Sequence, residues 1–140
     1  MKDRSTDNYL KINVMKKPME VPPSEIIDRI SIVKLKIERI GDNSLKKEIL
    51  VLESALYSFK KRGIKIDDNW IKELYEINKE EWDLLEEMNK EKEGNQDYAK
   101  IGQLYLKTEL VNKRRSQAKN KIVELTKIGF KEIKKNHPSA

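Results

Sequence analysis

Residues 68–97, DNWIKELYEINKEEWDLLEEMNKEKEGNQD, run for about seven helical turns without proline or glycine and then break at Gly94. Apolar residues recur through the run at steps of three and four, the spacing of one helix face. The stretch after the break, YAKIGQLYLKTELVNKRRSQAKNKIVELT and onward from residue 98, repeats that period behind a capping Asp97. The two segments differ in charge. Residues 68–93 hold four Lys against ten Asp or Glu, whereas residues 98–137 hold eleven Lys or Arg against three Glu. Opposite charges beside an apolar seam, joined by a connection of a few residues, predict an antiparallel helical hairpin. Capped at Asp67 or Asp68, its first arm ends near Glu93, and its second is predicted to run almost to Asn136, about 60 Å at 1.5 Å per residue.

Working backwards, Gly63 and Gly41 punctuate two shorter helices. Ser24 is placed to cap the first, in which Ile26, Ile30, Val33, Ile37 and Ile40 form the seam. Ser44 is placed to cap the second, with Leu45, Ile49, Leu52, Leu56 and Phe59 facing the first. Residues 1–23 have no helical period, and Pro18, Pro22 and Pro23 hold the approach to the first helix extended. The expected architecture is all-α: about four antiparallel helices with a long C-terminal hairpin, an extended arm over 1–23 and one helical domain over 24–140. The long last helix overhangs its partner. The arm, a second subunit or a break near Gly129 would cover the excess, and dimerisation is the favoured answer.

Composition narrows the chemistry. The 140 residues carry no cysteine, which removes disulfides, thiolate catalysis and thiolate-ligated metals. The single His137 lies alone near the C-terminal end and reads as solvated. No run of about 18 uncharged apolar residues occurs, so no membrane span or leader is expected and the cytoplasm is the expected location. No catalytic residue, metal or cofactor is assigned. The net charge of +6 raises nucleic acid as a partner, but the acidic arm of the hairpin answers much of it, and no aromatic residues interleave with Lys113, Arg114, Arg115, Lys119 and Lys121. The carboxylates Glu73, Glu76, Glu80, Asp83 and Glu87 lie along one helix and read as a solvated face opposite the basic helix.

One constellation stands out. Arg115 falls on the apolar seam of the fourth helix, with Asn112 and Lys119 on the same side. Equal rise on both arms pairs residues whose numbers add to about 190, which sets Asn78 beside Asn112 and Trp82 beside Thr108. Two readings follow. A buried polar network would fix helix register, with Glu81, Glu38 or Asp28 neutralising Arg115. An anion pocket between helices would use Arg115, Lys119 and the two asparagines. Under the first reading, Arg115→Met is expected to leave stability unchanged or raise it.

Three runs also resemble a known family: PPSEIIDRISIVKLKIERI (22–40), LYEINKEEWD (74–83) and NKRRSQAKNKI (112–122). They are similar to uncharacterised helical proteins with a helix of the form I-D-K-I-T-I-L-x-I-K-x-E-R-I, then N-x-x-x-W-D, then N-x-x-R-x-x-x-K. The resemblance implies a helical fold and carries over Asp28, Glu38 and Arg39, then Asn78, Trp82 and Asp83, then Asn112, Arg115 and Lys119. Members are often associated with glycosyltransferases of surface-polysaccharide assembly, which is a context and not an activity. The family follows W-D with a further acidic residue and an arginine; this chain has Leu85 and Asn89 there. The functional expectation is a non-catalytic accessory or interaction protein that binds a second copy or another protein. A protein or enzyme for a small phosphorylated or nucleotide-sugar anion ranks second, and a nucleic-acid binder third.

Overall fold

A computed structural model describes residues 20–133, and within them the fold is four α-helices: α1 (Pro23–Ile40), α2 (Leu45–Lys61), α3 (Asn69–Glu93) and α4 (Tyr98–Thr126). The all-α expectation holds. Residues 1–19 of the predicted arm, its alternating Leu10, Ile12 and Val14 included, lie outside the described residues, as does His137. None of these helices is long and apolar enough to cross a membrane.

α3 and α4 form the antiparallel hairpin. Lys121 meets Glu73, Arg114 meets Glu80 and Lys100 meets Glu91, so the acidic and basic arms pair along their length. The Arg114–Glu80 and Lys121–Glu73 contacts are exposed on both sides and contribute about 0–1 kcal/mol each, aligning the arms more than holding them together, while Lys100 reaches a buried Glu91. Leu74 and Ile77 of α3 and Val111, Ala118 and Ile122 of α4 supply the buried seam between them. The turn is closed by Asp97, whose carboxylate accepts the backbone N–H groups of Ala99 and Lys100.

α1 is the centre of the domain, because it packs against all three other helices. That explains a pattern broader than one seam: Ile26, Ile27, Ile30, Val33 and Leu35 are all buried, together with Ser24, Asp28 and Ser31. A helix with neighbours on several sides needs apolar residues on several sides. By contrast, α2 packs only on α1, and only Leu56 and Phe59 near its end are deeply buried.

Three local expectations change. Ser24 is not the cap of α1: the helix begins at Pro23 with Pro22 in the cap position, where fixed proline dihedrals start the turn and the Ser24 side chain is buried instead. Ser44 holds the cap position of α2 without a side-chain bond to the helix, and at α3 it is Asp67, the other of the two predicted caps, whose carboxylate accepts the Asn69 N–H at 2.9 Å while Asp68 makes no such bond. The largest correction is at the other end. α4 stops at Thr126, giving 29 residues and about 43 Å where about 60 Å was expected. Lys127 turns left-handed (φ 62°), Gly129 follows at φ 103°, and the chain doubles back. Of the three ways to cover the overhang, the structure shows the break near Gly129. A β-carbon on Gly129 would stand 2.9 Å from Cβ of Pro22, so glycine there permits the return segment to seat against the start of α1.

Candidate functional site: a polar cluster between the first and fourth helices

The cluster begins with Asp28, one turn inside α1 and almost fully buried. A buried carboxylate is costly unless its oxygens are satisfied. Both are: Arg115 Nε donates to Oδ1 at 3.1 Å and an Arg115 terminal nitrogen donates to Oδ2 at 2.5 Å. This is the two-pronged geometry in which a planar guanidinium matches a carboxylate. Asn78 of α3 donates its amide to Asp28 Oδ1 at 3.0 Å and to Ser31 Oγ at 2.8 Å, while Ser31 donates to the Asp28 carbonyl at 2.6 Å. Three helices thus converge on one carboxylate. The Arg115 pKa is raised, first by its hydrogen bond to Asp28 and then by the charges of Asp28, Glu81 and Glu132 against the effect of burial.

One turn further along α4, the buried Lys119 ammonium lies 2.9 Å from Glu25 of α1 and 2.9 Å from Glu132 of the return segment. Burial alone would lower its pKa, but hydrogen bonds to Glu132 and Glu25 outweigh that and raise it. Glu132 also accepts the Ser116 hydroxyl at 2.6 Å. Asn112, Arg115, Ser116, Lys119 and Glu132 wall a cleft of about 140 Å³. A wider groove of about 340 Å³ lies on another side of the hairpin between Glu73, Glu76, Arg114 and Lys121, whose charges answer one another.

Of the residues singled out by sequence, the structure brings together Asp28, Asn78 and Arg115, with Lys119 and Asn112 alongside. Asp28, not Glu81 or Glu38, neutralises Arg115. Glu81 contributes through its charge only, and one of its carboxylate oxygens is buried without a hydrogen-bond partner. Glu38, Trp82 and Asp83 stand apart from the cluster. Glu38 accepts from the Tyr75 hydroxyl, Trp82 donates to Glu86 one turn away at 2.9 Å, and Asp83 pairs with Arg39 at 2.8 Å. The reason for Glu38 is axial: ten residues separate it from Asp28, about 15 Å along α1.

The hairpin register explains the pairing of Asn78. Glu80 with Arg114, and Glu73 with Lys121, both add to 194 and not to about 190, so Asn78 faces the Arg115–Ser116 level in place of Asn112. Sequence reasoning missed Ser116, Asn120, Glu25 and Glu132. The glycine at 129 was the one signal that could have found the last of these. Compared with protein-family models, curated proteins and solved structures, the chain finds no match.

Proposed function

We propose that the protein is a non-catalytic helical interaction protein that self-associates through the far half of the α3–α4 hairpin. The observation that carries this reading is the mismatch between α1 and the hairpin. The ion pairs that fasten α1 to the hairpin stop at Arg115 on α4 and Asp83 on α3. Toward the turn, Tyr98, Tyr105, Leu106 and Leu110 of α4 and Leu85 of α3 are exposed. Leu106 and Leu110 lie one turn apart on the side of α4 away from its buried Leu104, Thr108 and Val111. An exposed leucine pair one turn apart on a charge-rich chain offers apolar surface to a protein contact. The polar cluster supports the same reading, since Arg115 and Lys119 already meet carboxylates within the chain and serve to position α1.

The test is the solution mass of the full chain by sedimentation equilibrium, alone and as the double variant Leu106→Ser, Leu110→Ser. A dimer that dissociates on substitution, with helicity unchanged, is the expected result. A chain that is monomeric across the accessible concentration range removes the self-association reading.

A further inference from the structure

The segment that returns after α4 is fastened on both sides of Phe130. On one side Ile128 packs against the core and Gly129 seats against Pro22 at the start of α1. On the other, the Glu132 N–H donates to Asn120 Oδ1 at 2.7 Å, Asn120 Nδ2 donates to the Glu132 carbonyl at 2.9 Å, and the Glu132 carboxylate is turned inward to Ser116 and Lys119. Between these anchors Phe130 is 85% exposed, more than any other large apolar side chain among the described residues, and Ile133 is 77% exposed. A ring kept in water forgoes the gain of burial, and the fixed points beside it hold it there.

The surroundings are apolar and basic. Val21, next to Pro22, is exposed, and so is Leu125 on the last turn of α4, which lines a groove of about 520 Å³ with Lys65 and Trp70. The carboxylates at this end are already engaged: Glu20 meets Arg62, Asp68 meets Lys60, Glu124 meets Lys131, and Asp67 caps α3. Lys65 and Lys127 pair with no carboxylate among the described residues. The sequence continues past Ile133 with Lys134 and Lys135.

From projecting apolar side chains set in a positive surface, we infer that this end of the molecule docks on an anionic membrane surface, with Phe130 and Ile133 entering the boundary between headgroups and acyl chains while Lys65 and Lys127 meet lipid phosphates. Charge decides against a second copy here, since two such ends would bring lysines together. Shape decides against a folded protein: a projecting ring needs a matching pocket there, whereas a bilayer interface parts around it. Because the segment is fixed before docking, little ordering is left for the membrane to impose. One ring and one isoleucine bind a bilayer only marginally, and so do a few lysines; the two together give reversible attachment. None of the helices is long and apolar enough to cross a membrane, so the contact is with the surface alone. It lies about 24 Å along α4 from Leu110 and does not rest on self-association through the hairpin.

The test is co-sedimentation of the full chain with vesicles of phosphatidylcholine alone or mixed with phosphatidylserine. Binding to the mixed vesicles and not to the neutral ones is expected, weakening as salt is raised. Phe130→Ser should weaken it at least about tenfold, the loss for withdrawing a buried aromatic ring. Lys127→Gln should weaken it about fivefold, the share of one lysine near an anionic surface. Both side chains are exposed, so urea midpoints should match those of the unaltered chain. In Phe130→Trp, brominated lipid should quench emission beyond that of the unaltered chain, which reports ring insertion apart from any change in affinity. Leu106→Ser with Leu110→Ser should bind vesicles as the unaltered chain does, whatever its solution mass. No binding to the mixed vesicles, equal binding to neutral ones, full binding by Phe130→Ser, or a tryptophan at 130 that brominated lipid does not quench each overturns the inference.

Discussion

Arg115 and Asp28 face each other across 87 residues of sequence with two hydrogen bonds, yet they do not share one environment. The Asp28 side chain keeps 5% of its surface exposed and the Arg115 side chain 29%. The carboxylate is the buried partner, and the guanidinium reaches it from the edge of the cleft.

That asymmetry sets the order of two substitutions. Arg115→Met strands a buried carboxylate with only Asn78 beside it, and should cost about 3–5 kcal/mol, the range for breaking a buried pair from one side. Asp28→Ala leaves a guanidinium that can turn toward water, and leaves Asn78 its bond to Ser31, so about 1–3 kcal/mol is expected. Urea unfolding at neutral pH measures both. The expectation from sequence was that Arg115→Met would be neutral or stabilising; an unchanged or raised urea midpoint for that variant would restore it.

Asn78 offers a sharper probe because Asn78→Asp changes two donor hydrogens and a charge with almost no change of shape. The introduced carboxylate cannot donate to Asp28 and repels it. A loss of about 3 kcal/mol at neutral pH follows from an unpaired charge in a buried network. Acidification protonates one member of the pair and restores a donor, so the gap between variant and unaltered chain should narrow as pH falls. A gap that widens on acidification would show that Asn78 is not a donor to Asp28.

The helices and their ends were readable from sequence where the signal is local. Gly41 and Gly63 stop α1 and α2 in left-handed conformations, and Asp97 caps α4, because each depends on a few adjacent residues. The central place of α1 was less visible, since the positions Ile26, Ile30 and Val33 show a seam but do not say how many neighbours press on Ile27 and Leu35. Which α3 residue lies level with Arg115 depended on the register of the hairpin. At the 94–97 turn Gln96 takes φ 51° and its N–H bonds to the Glu91 carbonyl; next to it Lys100 and Glu91 add to 191, and farther along the arms the pairs add to 194. Glu132 was hidden by the continuing helical period past Thr126, where the close approach of Pro22 to Gly129 overrides local preference.

Gly129→Ala tests that approach. The new methyl would need to pass within 2.9 Å of Pro22 Cβ at a backbone φ of 103°, which side-chain-bearing residues rarely adopt. A cost of about 1–3 kcal/mol is expected from the backbone conformation, with loss of hydrogen-exchange protection at the Glu132 amide as the return segment lifts away. Protection equal to that of the unaltered chain would mean that the segment holds its place without the Pro22 contact.

Lys119 predicts the alkaline limb of stability. Its folded pKa lies above the ordinary 10.5, because hydrogen bonds to Glu132 and Glu25 more than offset burial. A group with a raised folded pKa binds its proton more tightly in the folded chain, so its contribution is complete below about 10.5 and disappears as pH climbs through the folded value. Tyr75 and Tyr105 have pKa values raised in the same direction, by their hydrogen bonds to Glu38 and Glu109, and Arg115 stays protonated throughout. These groups are common to the unaltered chain and Lys119→Met, so the comparison isolates the lysine. Urea midpoints for the two should be well separated at neutral pH, with the variant lower, and should converge above about pH 10.5. A separation that stays constant across that range would assign the role of Lys119 to the packing of its methylene stem against α1, and not to its charge.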